Sequence, residues 1–307
     1  MPVQEPDENL LMQRIVRQQG LLIQDAAKSA LENFASPLVG SPALRDREWA
    51  EQADDAELVQ GAFVSAAESV ATLLQTMEEY RLAILALLAD SKMLPHPIMS
   101  CVRAIHDAAL RICSLTDPTI SPQERLARSA ADFLAKVQGG IPVLHTLEGV
   151  VDDGRDDLQR VQEARTGAVD LFRGIGLEVQ VKESTGQAQN VRCEGKVANV
   201  DVKSTDLSQK YTPLVHFAWG LNSGATHSNI WLTQGLSGPW AQILVSMVFP
   251  LLDISDALVT NLLGHVGLPS AEIRKATHFR RIMLMRRSGV PGPYTDFSAY
   301  ADDQRVP

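Results

Sequence analysis

A chain of 307 residues, 45% of them hydrophobic, can bury a substantial core as one large domain or two ordinary ones. Its 28 basic and 37 acidic residues leave a net charge of −9, which argues against nucleic acid as a partner of the whole chain. Aromatics at only 5%, beside abundant Ala, Leu and Val, favour helices packed through aliphatic side chains over β-sandwiches.

The opening MPVQEPDENL is acidic and carries prolines, unlike a secretory signal. Cys101, Cys113 and Cys193 show neither C-x-x-C nor zinc spacing, and an odd, scattered set fits free thiols in a reducing cytoplasm. The longest apolar run, residues 243–252, is too short to span a bilayer. The expectation is a soluble cytoplasmic protein with no membrane partner.

Helical periodicity dominates from the start. Leu10, Leu11, Ile15, Leu21, Leu22 and Ala26 mark a first helix running to about Phe34, broken by the Pro- and Gly-bearing residues 36–44. A long amphipathic helix follows over residues 55–89, stopped by Pro95 and Pro97. Pro97 opens the next helix, residues 97–114. Ser121 caps another, with Pro122 in its first turn and Gly139-Gly140 at its end.

Residues 152–172 read as a further helix. Alternation over residues 177–202 around a Ser-Thr-Gly turn predicts one short β-hairpin. Helix returns over residues 207–232, 240–266 and 269–287. The expected fold is all-α: a single domain over residues 1–290, of eight or nine helices with one hairpin. Residues 291–307 are expected to form a flexible tail.

Two polar stripes stand out on apolar helices. In YTPLVHFAWGLNSGATHSNIWL, His216 and His227 are eleven residues apart, about 20° on one face of a continuous helix. Thr212 and Ser223 each precede a histidine by four. His216, His227 and Ser223 are therefore the candidate acid–base groups; the structural alternative is that they fix helix register through hydrogen bonds. No spacing supplies a third metal ligand, so no metal is assigned. On the 97–114 helix, Arg103, Asp107 and Arg111 recur every four residues, predicting an internal Arg–Asp–Arg ladder with His106 beside it. With Asn222, they are the candidate ligand-binding residues. The ladder is expected to face the 207–232 helix, meeting His227 or Ser223, as the central buried pair of the fold.

Two further motifs have competing readings. Asp152, Asp153, Asp156 and Asp157 reproduce a D-D-x-x-D spacing that in isoprenoid enzymes holds magnesium, but acidic residues at a helix start also complement the dipole. Arg274, Lys275, Arg280, Arg281, Arg286 and Arg287 make a basic helix suited to an acidic partner, a second copy or a solvated surface. Phosphate-cradling and nucleophile-elbow signatures are missing, and no motif names a cofactor.

The run VRAIHDAALRICSLTDPTISPQERLARSAADFL together with YTPLVHFAWGLNSGATHSNIWL resembles a group of uncharacterised helical actinobacterial proteins. Their first helix reads R-x-x-x-E-A-A-A-R-x-x-x-L-L-D-P-x-I and their second Y-x-x-L-S-G-x-A-H-G. Here Arg103, Asp107, Arg111, Asp117-Pro118 and Arg125 match the first, with aspartate near the usual glutamate. Asn222 to Ser228 match the end of the second, with His227 as its histidine; the tyrosine is displaced and Asn222 stands where leucine is common. A remoter similarity is to the HEPN-like superfamily, whose ribonucleases use R-x-x-x-x-H. Asn222 occupies the arginine position, so the resemblance implies a helical fold and does not imply ribonuclease activity. The functional expectation is a non-catalytic binding or interaction protein, regulatory or defence-associated, forming a homo-oligomer and taking a small molecule or a protein. The alternative is an enzyme with a pocket between the central helices, using His216 and His227 as acid–base groups.

Overall fold

Ser-Pro pairs start two of the helices. In the computed structural model, which describes residues 6–90, 94–147, 154–226 and 240–288, Ser121 Oγ accepts from Glu124 N at the start of a helix over Pro122–Gly139. Ser41 does the same for Leu44 N at the start of α2 (Pro42–Ala50). In both, the serine satisfies an orphan N–H and the proline supplies a preset φ where no donor is needed. The second cap lies inside the stretch read from sequence only as a break.

Two long helices flank α2: α1 (Pro6–Ala35) and α3 (Ala56–Ala89). Then come α4 (Pro95–Leu115), α5 (Pro122–Gly139), α6 (Ile141–Leu147) and α7 (Gly154–Gly174). A small sheet precedes α8 (Ser204–Tyr211), a 3-10 turn (Pro213–Val215), α9 (His216–Thr226), α10 (Trp240–Val266) and α11 (Ala271–Ser288). The fold is mainly helical, as expected, but its described helices exceed eight or nine, because α2 and α6 are short elements that periodicity overlooks.

The strands also exceed the expected hairpin. β1 (Glu178–Val181), β2 (Ala188–Cys193) and β3 (Lys196–Asn199) form an antiparallel sheet in that order. The additional turn is Glu194-Gly195, both residues at positive φ (48° and 80°), as a two-residue hairpin of the right twist demands. Gly meets that demand at no steric cost.

Two apolar clusters divide the core. One joins α1, α3, α4 and α10 through residues such as Ile15, Leu74, Ile105, Leu252 and Leu258. The other joins α5, α7 and the sheet through Leu126, Leu134, Phe172, Val179 and Val191. α4 is central as expected, but its deepest apolar partners lie on α3 and α10. The expected single helix over residues 207–232 is interrupted. Thr212 leaves helical geometry (φ −133°, ψ 51°), because Pro213 offers no N–H and crowds the residue before it. Leu214 and Phe217 are exposed, so this segment is a surface layer over α4. No helix among the described residues is long and apolar enough to cross a membrane.

Candidate functional site

α4 presents its polar stripe to α9, and the residue that receives it is Trp219. Arg103 Nε donates to Asp107 Oδ2 (2.7 Å) and Nη1 to the Trp219 carbonyl (3.2 Å). Trp219 Nε1 donates back to Asp107 Oδ1 (3.0 Å), and the guanidinium lies 3.5 Å from the indole centroid. Burial lowers the Arg103 pKa, and the charge of Asp107 opposes that shift. The ring closes without Ser223, which is half-buried on α9, and the contact expected there is replaced by the tryptophan three residues after His216. His227 lies outside the described residues, so the eleven-residue histidine stripe is described only at its first member.

One turn along, buried His106 places Nε2 2.8 Å from Thr212 Oγ1, which also reaches the Ser208 carbonyl at 3.2 Å. Burial pushes the His106 pKa down to about 4; nearby Arg103 and His216 add to this and Asp107 opposes it. His106 is therefore a neutral packing group at neutral pH. His216 begins α9 half-buried, its Nδ1 without a partner among the described residues. Asn222 is buried; its carbonyl accepts from Thr226 Oγ1 (3.0 Å), while its Nδ2 has no partner among the described residues.

Arg111 does not complete the expected ladder. Its Nη2 donates to Asp132 Oδ1 on α5 (2.9 Å), away from Asp107. Asp132 also accepts from Lys136 (2.9 Å) and Ser69 (2.9 Å), and Lys136 bonds Ser69 in turn. Burial raises the Asp132 pKa, but Lys136 and Arg111 outweigh it and the carboxyl is held below its ordinary range. The Asp132–Lys136 pair was legible as an i, i+4 couple on α5; nothing in the sequence joined it to Arg111.

The turn from α4 to α5 is locked by a buried carboxylate. Asp117 accepts from Thr119 N (3.0 Å) and Oγ1 (2.6 Å), Lys210 Nζ (2.8 Å) and Tyr211 OH (2.9 Å). Burial pushes this carboxyl up, and those hydrogen bonds overcome it, leaving its pKa well below the usual carboxylate range. Arg125 donates to the carbonyls of Leu115 (3.0 Å) and Asp117 (2.8 Å) and pairs with Asp46 on α2 (2.6 Å). Arg128 ties Ser114, Tyr211 and Glu124 together. Asp117, Arg125 and Arg128 together tie the α4–α5 corner to α2 and α8.

That corner supports one side of an open cleft of about 480 Å³. α4 and α5 supply Arg111, Arg128, Asp132 and Lys136; the opposite wall is β3 and the segment leading to α8, including Val197 and Val202. The lining holds three cations, Arg111, Arg128 and Lys136, and two carboxylates, Asp132 paired beside them and Asp201 on the opposite wall, a locally positive balance in an acidic chain. No histidine belongs to this lining. The cleft is large enough for a small ligand or a peptide segment.

The other motifs find mostly structural places. Asp156 and Asp157 lie in the first turn of α7, and Asp157 pairs with Arg160; Asp152 and Asp153 lie outside the described residues. The basic α11 turns Arg281 into the interior, where it pairs with Asp253 (2.6 Å) and Asp256 (2.5 Å), and Arg280 donates to Gln19 (2.9 Å). Those two arginines hold α11 to α10 and α1 instead of facing an acidic partner. No family model, curated protein or solved structure matches the chain.

Proposed function

We propose that this chain is a non-catalytic binding protein whose site is the cleft between α5 and β3. The observation that carries the reading is the Arg111–Asp132–Lys136 group: two half-exposed cations share one partly buried carboxylate at the wall of a 480 Å³ opening. Such a wall attracts an anionic group while its geometry stays fixed by Ser69 and α5. The polar residues between α4 and α9 serve packing in this reading, since His106, Arg103 and Asp107 already bond across that junction.

The test is a titration of the isotopically labelled full chain with succinate and with inorganic phosphate, followed by amide shifts. Shifts centred on Arg111, Lys136 and β3, weakened in Arg111→Gln, support the reading. Shifts centred on α9 around His216 instead would favour the enzymatic alternative, to which the Nδ1 of His216, without a partner among the described residues, lends its support.

A further inference from the structure

β3 is an edge strand, and the cleft runs along its edge. Strand order β1-β2-β3 gives β3 one partner among the described residues, and the β2 register is regular, with Val191 opposite Ala198 and Cys193 opposite Lys196. Val200 N donates to the Gln189 carbonyl (2.9 Å), which fixes the alternation: residues 196, 198 and 200 bond β2. The N–H and C=O groups of Val197 and Asn199 therefore point the other way. Among the described residues no backbone hydrogen bond from another element reaches either residue.

Natural edges are blunted by charges, prolines or bulges. Between Lys196 and Asp201 this edge carries Val197, Ala198, Asn199 and Val200, none of them charged and none proline, and its pairing to β2 shows no bulge. Every residue from Val197 to Val202 lines the cleft, a stretch of roughly 20 Å if extended. Val197 and Val202 remain 48% and 45% exposed, so the wall offers apolar side chains beside unpaired backbone. Facing it stand Arg111 and Lys136.

We infer that the cleft takes an extended peptide segment of a partner protein, which adds to β3 as a fourth strand and sets an acidic side chain against Arg111 and Lys136. This rests on the cleft being the binding site. Backbone bonds to Val197 and Asn199 would supply affinity. Alternation supplies selectivity: residues on the inner face of the added strand meet the two cations, and those on the outer face lie beside Val197, where β-branched side chains pair best. The preferred segment alternates acidic and β-branched residues.

The probe is the fluorescein-labelled hexapeptide (Val-Asp)3, read by fluorescence polarisation with the full chain. Saturable binding is expected, lost when the amides of the probe are N-methylated, because methylation removes strand pairing and keeps the charge. Asn199→Pro deletes an N–H that bonds nothing in the sheet, so it is expected to abolish binding with the circular dichroism spectrum unchanged. Arg111→Gln, at a half-exposed position, is expected to weaken binding about tenfold. Equal binding of the methylated probe, or none of the unmethylated one, overturns the proposal. If the peptide fails while succinate shifts the Arg111 and Lys136 resonances, the strand proposal falls and the cleft still stands as a small-anion site. If neither binds, both fall. A dimer in light scattering that Asn199→Pro dissolves, without peptide binding, would assign the edge to a second copy of the chain and also overturn the proposal.

Discussion

Arg103 lies over the indole of Trp219 at 3.5 Å, and both side chains bond the two oxygens of one carboxylate, Asp107. The arrangement fastens α9 to α4 by stacking and charge-assisted hydrogen bonds together. Trp219→Ala should lower stability by about 2–3 kcal/mol in urea unfolding, combining lost packing with an exposed guanidinium face. Asp107→Ala should cost less, about 1 kcal/mol, because this carboxylate is 35% exposed and water replaces part of its role.

His106 gives a pH signature of defined sign. Its folded pKa is depressed to about 4, below the ordinary 6.5, so the unfolded chain binds the proton more readily. The neutral ring contributes its full stability above pH 6.5 and loses it as the pH falls through that window towards 4. The loss reaches roughly 3 kcal/mol at its limit. Denaturation midpoints at pH 7 and pH 5 should separate less in His106→Gln than in the parent chain. Equal separations would remove His106 as the source.

Asp117 shows the same sign in a more acid window. A carboxyl held below its unfolded value stabilises above about pH 4 and gives that up only in stronger acid. Asp117→Ala should cost about 3 kcal/mol or more at neutral pH, since Tyr211 and Arg128 lose a buried partner. Lys210→Ala removes only a half-exposed donor and should cost under about 1 kcal/mol. Paired thermal melts check the contrast.

Arg281 should behave as a core residue despite its charge. Arg281→Ala leaves Asp253 and Asp256 without their shared cation inside the protein and is expected to destabilise by about 3–5 kcal/mol. Urea unfolding measures it. A variant as stable as the parent would place this arginine outside the packing of α10 and α11.

Periodicity in the sequence located the long helices because their apolar faces repeat over many turns, as on α3 and α4. It also identified Arg103, Asp107 and Arg111 as one stripe. It did not reveal which neighbour each residue meets: Arg111 prefers Asp132 on α5, a choice made by tertiary approach and not by spacing. Local chemistry explains the other differences. Ser41-Pro42 carried the same cap signal as Ser121-Pro122 but stood directly after the turn formers Pro37 and Gly40. Glu194-Gly195 marks a hairpin turn with an unusual first residue. Pro213 divides a run whose composition reads as continuous helix. The cleft was the least legible feature, because it joins residues of α4, α5 and β3 that no local pattern links.

The length of α3 has a mechanical consequence. This helix of 34 residues, about 50 Å of continuous rod, places Val59 and Ala62 in the cluster around the sheet and Val70 to Leu88 in the cluster around α4 and α10. Load on the cluster around the sheet is thus carried to the cluster around α4 and α10 through one uninterrupted backbone. A proline introduced near Ala66, where one cluster gives way to the other, would cut that rod, and calorimetry would then resolve two melting transitions in place of a single cooperative one.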